Sequence, residues 1–93
     1  MRTILRTKKF KRDIKRIRSG TNGERLNELL LAVVGLLVED CPLPPHNRDH
    51  LLTGTWNDHR DCHIRPDLVL IYRKPDDDTL ELIRLGSHSE LGM

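Results

Sequence analysis

The stretch HRDCHIRPDLVLIYR, His59 to Arg73, admits two readings, and the rest of the architecture follows from the choice between them. As a helix, its first half would place His59 and His63 at i, i+4, a pair suited to zinc. No Glu follows His59, however, and no third ligand stands at a familiar spacing. Pro66 and the turn residues beside it also break a helix there. As a strand, the side chains alternate faces with period two. His59, Asp61, His63 and Arg65 then share one face, while Cys62 and Ile64 point into the core. The strand reading prevails, and no metal site is expected.

Beyond Pro66-Asp67, LVLIYR (68–73) is rich in β-branched and aromatic residues and reads as a second strand. Pro75-Asp76-Asp77-Asp78 supplies a turn into a third, 79–85. In that strand Leu80, Leu82, Arg84, Gly86 and His88 share a parity, and Glu81, Ile83 and Leu85 take the other. An antiparallel meander brings Arg84 and His88 towards Asp61, His63 and the Asp67 turn. Upstream, Cys41-Pro42-Leu43-Pro44-Pro45 cannot continue a helix and forms an irregular connection to Asp49-His50, with Gly54 marking a turn before Trp56.

The N-terminal part is helical. Arg2–Leu5 reads as a short first strand. Phe10, Ile14 and Ile17 then recur at i, i+4, i+7, and Ser19-Gly20 ends this helix. Thr21 and Glu24 have the spacing of a capping box for a second helix running to about Glu39. Leu26, Leu29, Leu30, Val33 and Leu37 form its buried stripe. The expected fold is α+β: an αα-hairpin packed on a small, mainly antiparallel four-stranded twisted sheet, one domain spanning 1–93.

Composition narrows the function classes. Hydrophobic residues make up 37% of the 93-residue chain and aromatics 3%, so Leu, Ile and Val supply the core and leave little room for a buried cofactor. Cys41 and Cys62 show no CxxC spacing, no secretory signal appears, and LLLAVVGLLV (29–38) is too short to cross a bilayer. A reducing cytoplasm fits. Nine of the sixteen Lys and Arg lie within the first eighteen residues, against a single acid, Asp13. Such a block attracts a polyanion.

The polar strand face suits transesterification of RNA. A 2′-hydroxyl must lose a proton and the leaving 5′-oxygen must gain one, both within the range of histidine. An arginine fork stabilises the charge gathering on the phosphorus between those steps. A neighbouring carboxylate orients an imidazole and keeps it protonated.

The runs RDHLLTGTWNDHRDCHIRPDLVLIYR and ELIRLGSHSEL resemble the YafQ-like branch of the RelE/ParE toxin superfamily. The shared features are an acid–His pair, L-x-G-x-W, R-D-x-H, P-D, a hydrophobic strand ending in I-Y, and R-x-G-x-H. This resemblance implies the toxin half of a type II toxin–antitoxin pair: a ribosome-dependent, metal-independent mRNA endonuclease without a cofactor. It cuts messenger in the ribosomal A site, has no membrane partner, and is neutralised by a cognate DinJ/RelB-like antitoxin.

Carried over by motif, His50, Asp61, His63, Asp67, Arg84 and His88 are the catalytic candidates. His88 would be the general acid and Arg84 would stabilise the phosphate. His50 and His63, helped by Asp61 and Asp67, would activate the 2′-hydroxyl or hold the scissile phosphate. Arg6, Lys8, Lys9, Lys11, Arg12, Lys15, Arg16 and Arg65 would meet RNA or the ribosome. Leu68 and Leu91 stand where related toxins carry aromatics that stack on a codon base. His59 has no counterpart in the family, and Trp56 and Tyr72 read as packing residues. Two other readings keep the fold: a ParE-like gyrase inhibitor, which lacks such histidines, and a non-catalytic ribosome-binding module.

Overall fold

The computed structural model describes residues 1–20 and 23–93, with the backbone alone for 23 and 24. The capping box expected at Thr21 and Glu24 lies outside the described residues. Among the described residues the chain runs β1 (Thr3–Arg6), α1 (Lys8–Arg18), α2 (Gly23–Val38), β2 (His50–Leu51), β3 (Arg60–Arg65), β4 (Leu68–Arg73) and β5 (Thr79–Gly86). Short 3₁₀ turns occupy Pro45–Asn47 and Gly54–Trp56. No helix among them is long and apolar enough to cross a membrane.

Thr7 starts α1 by accepting the Phe10 N–H at 3.0 Å on its hydroxyl. The expected stripe is real: Phe10 is 1% exposed, and Ile14 and Ile17 pack beside it. The buried residues of α2 close over the same core, onto Cys62, Ile64, Leu70, Tyr72, Leu80 and Leu85 of the sheet. Each such side chain contributes about 1.5–3 kcal/mol on burial. Leu68 belongs to this core, whereas Leu91 joins a smaller cluster on the opposite face with Leu52, Val69 and Ile71. Leu68 and Leu91 are therefore both buried here, on opposite faces of the sheet. Trp56 packs on the smaller cluster and Tyr72 is 1% exposed, so both are packing residues as expected.

The sheet order is β1-β5-β4-β3-β2. The expectation of four strands is corrected to five. His50 and Leu51 pair with Asp61 and Arg60, a two-residue strand too short to show any periodicity. β1 runs parallel to β5, and the other pairs are antiparallel.

Two register shifts correct the face assignments. Between His63 and Arg65 the ladder slips, so Arg65 pairs with Leu68 while His63 pairs with Val69. Arg65 thus leaves the face of His63, contrary to simple alternation. In β5, Tyr72 pairs with Leu82 but Ile71 pairs with Arg84, leaving Ile83 as the extra residue. Leu80 and Leu82 stay on the helix side, and Arg84 moves to the opposite face instead of sharing theirs. One inserted residue reverses every later side chain.

Candidate active site

The face of the sheet turned away from the helices carries the site. His50 stands opposite Asp61, Asp61 opposite Ile71, and Ile71 opposite Arg84, a row crossing β2, β3, β4 and β5. The adjoining row is His63, Val69 and Gly86, with His88 two residues further on. Strand spacing of ~4.8 Å makes these rows compact. The His63 and His88 rings lie 5.1 Å apart between centroids.

Asp61 is the buried centre, at 0% exposure. His50 Nδ1 lies 2.9 Å from its Oδ1. Even so, neither carboxylate oxygen accepts an aligned hydrogen bond among the described residues. Burial raises the Asp61 pKa from its ordinary value; the charges of His50, His63 and His88 pull it back without cancelling the rise. Three imidazoles therefore act on one carboxylate from segments distant in sequence.

His50 Nδ1 also lies 2.9 Å from the Arg48 carbonyl. Donating there fixes the proton on Nδ1 and leaves the Nε2 lone pair for a substrate proton. Arg48 holds φ at 46°, a left-handed turn that costs a bulky residue about 1 kcal/mol. The strain sits beside the site and turns the carbonyl towards the ring. Asn47, itself buried, donates its side-chain amide to the His63 carbonyl at 2.8 Å and pins β3 at that histidine.

The Asp49-His50 pair divides its labour. Asp49 turns away from His50, accepting the Tyr72 hydroxyl at 2.5 Å and both Nε and Nη2 of Arg60 at 3.3 Å. Burial, then this bond, holds the Tyr72 hydroxyl well above its ordinary pKa. Burial, with the charges of Asp49 and Asp61 behind it, pushes the Cys62 thiol up to about 12, which leaves it inert.

The remaining candidates are dispersed. Asp67 is exposed in the β3–β4 turn. A cleft of about 310 Å³ beside His63 is lined by His46, Arg48, Ile64, Arg65 and Pro66. Arg84 donates Nε and Nη2 to Asp13 at 2.6 and 3.1 Å. Arg6, Lys8, Lys9, Lys11, Arg12, Lys15 and Arg16 are all exposed, on β1 and α1. His59 packs edge-on against Trp56 and bonds the Asn57 carbonyl at 3.0 Å, outside the histidine rows. Sequence reasoning missed His46, Asn47 and Arg48, which carry no periodic signal, and the contact of Asp13, whose one signal is its isolation in a basic run. Among the described residues no group of three or more His, Cys, Asp or Glu is arranged to hold a metal ion.

Comparison with known proteins gives the family. The profile of the family described as "Bacterial toxin of type II toxin-antitoxin system, YafQ" matches residues 2–93. The mRNA interferase toxin YafQ of Escherichia coli K12 is 39% identical over 66 residues, 71% of each chain. A metal-bound toxin from Helicobacter pylori superposes with a TM-score of 0.84 at 46% identity, over 98% of this chain and 99% of that one. YafQ in the E. coli DinJ–YafQ complex gives a TM-score of 0.79 at 32% identity, covering 98% of both chains. The chain belongs to the YafQ family of bacterial type II toxin–antitoxin toxins.

Proposed function

We propose that this toxin is an mRNA interferase, an endoribonuclease that acts on ribosome-bound messenger in the cytoplasm by attack of a 2′-hydroxyl on the adjacent phosphate. The observation that carries the reading is the convergence of His50, His63 and His88 on buried Asp61. A surface that only binds a partner has no need of three titratable rings around one desolvated carboxylate.

The chemistry follows from the assigned protons. His50 Nε2 takes the 2′-hydroxyl proton, with Asp61 favouring the imidazolium that results. The 2′-oxygen forms a bond to phosphorus as the bond to the 5′-oxygen breaks, and His88 gives that oxygen its proton. The products are a 2′,3′-cyclic phosphate and a 5′-hydroxyl. His63, 5.1 Å from His88 between centroids, holds the scissile phosphate. Arg84 offsets the charge at phosphorus through Nη1, which lies outside its pair with Asp13. Asp67 and Arg65, at the β3–β4 turn, meet the RNA beside the cleft.

The cationic side chains of β1 and α1 supply affinity for ribosomal RNA that does not depend on sequence. A DinJ-like antitoxin neutralises the toxin by binding it directly, as the partner in the solved E. coli complex supports.

The test is cleavage of messenger on programmed ribosomes, with mapping of the ends. Breaks within codons that leave a cyclic phosphate are expected, and His88→Ala should suppress them while retaining antitoxin binding. A supercoiling defect without RNA cleavage would point to gyrase instead, and neither outcome would leave a ribosome-binding module.

A further inference from the structure

The one acid of the basic N-terminal block has no place in the chemistry above, yet it is among the most engaged groups in the molecule. Asp13 is 2% exposed. β1 pairs with β5 only as far as Leu82, so the edge of β5 beyond it lacks a strand. α1 fills the gap. Thr7 donates its N–H to the Leu82 carbonyl and its hydroxyl to that of Ile83, and the Leu85 N–H donates to Asp13 Oδ2 at 3.0 Å.

The same carboxylate receives Arg84 Nε at 2.6 Å, Arg84 Nη2 at 3.1 Å and Arg16 Nη1 at 3.3 Å. Arg16 continues the chain of bonds, with its Nη2 lying 3.0 Å from Glu90 Oε2. Glu90 Oε1 in turn accepts the Ser87 N–H at 2.9 Å. That bond closes the turn carrying His88. The turn is tightly seated, for a Cβ on Gly86 would meet Glu90 Oε1 at 3.3 Å.

We propose that Asp13 is a positioning residue for RNA cleavage, holding the Arg84 guanidinium directly and the His88 turn through Arg16 and Glu90. The proposal rests on Arg84 acting at the scissile phosphate. An arginine at a strand end has several rotatable bonds, and its charge helps a transition state only if it is aimed beforehand. The bidentate pair with Asp13 removes that freedom and presents Nη1 at a fixed place. Burial raises the Asp13 pKa, but the bonds from Arg84 and Leu85 with the charges of Arg84 and Arg16 outweigh it, so the net shift is downward and the clamp is charged at working pH.

The experiment compares wild type, Asp13→Asn, Arg84→Ala and the double variant on programmed ribosomes. Asparagine keeps the size and an oxygen for the Leu85 N–H but loses the charge. Asp13→Asn should lower kcat by about 10- to 100-fold and leave KM within about twofold, the scale of loss expected from misaiming a reacting group. The double variant should lose less than the product of the two single losses, because the part of the Asp13→Asn loss that acts through Arg84 is already gone in Arg84→Ala. Asp13→Asn cleaving like wild type, or losses that multiply in the double variant, would overturn the proposal. Arg84→Ala cleaving like wild type would instead remove the role of Arg84 itself, and the proposal with it. Should Asp13→Asn not fold, the Arg84 Nε–H of the wild-type toxin decides by nitrogen–proton NMR. A distinct, slowly exchanging signal supports the clamp, and rapid exchange like that of free arginine overturns it.

Discussion

The two faces of this sheet are built on opposite principles. The helix side is a continuous apolar core from Phe10 and Leu26 to Leu80 and Leu85. The other side buries only a small cluster around Val69 and Ile71, and beside it a carboxylate at 0% exposure under a rim of imidazoles. The first face lowers the free energy of the fold. The second raises it, because a buried charge without aligned donors costs stability. Stability and reactivity are thereby separated by the thickness of one sheet, and each can be changed while the other is watched.

The largest effect should come from the reactive face. His88→Ala should reduce mRNA cleavage by about 10²- to 10⁴-fold, the usual contribution of a general acid. Its urea midpoint should stay close to that of wild type; a matching loss of stability would mean that the ring is part of the core. On the helix side, Leu80→Ala should cost about 2–5 kcal/mol by urea unfolding, with kcat per folded molecule nearly unchanged.

Asp61→Asn should move the two properties in opposite directions. The raised pKa means that stability from this group is greatest below the ordinary carboxylate value of 3.8 and is lost as pH rises through the higher folded value. The asparagine variant should therefore melt a few degrees higher at neutral pH and lose that slope, while cleaving more slowly. A lower Tm at pH 7 would contradict the reading of Asp61 as a strained carboxylate.

Neutralising Lys9, Lys11 and Lys15 together should flatten the salt dependence of ribosome binding without touching Tm, since all three are exposed. An unchanged slope would remove α1 from the ribosome interface. The smallest effect belongs to Asp40, fully exposed and drawn down to about 2 by Lys74 and then Arg2. Its contribution is present above pH 3.8 and lost as pH falls through 2, so Asp40→Asn should shift Tm only slightly, and only above pH 4. Asp40 and Asp61 are thus shifted in opposite directions, one held by cations in solvent and the other desolvated.

Much of this could be read from the residues alone. The stripe of Phe10, Ile14 and Ile17, the strand at 68–73 and the parity of Asp61 and His63 against Cys62 and Ile64 all appear as expected. Periodicity transmits these features because helices and strands repeat. It fails where the repeat is broken. The Ile83 bulge separates Arg84 from Leu82, and the slip after His63 moves Arg65 to another face. The two-residue strand that sets His50 against Asp61 has no period to detect.

The order of residues therefore settled the fold class, the cationic N-terminus and the inventory of histidines, carboxylates and arginines, since each depends on side-chain type and local spacing. Assembly of the sheet alone brought three imidazoles to one carboxylate and put the Arg84 guanidinium on Asp13, 71 positions away along the chain. Contacts of that range arise from strand pairing and helix packing, whose registers no local pattern encodes.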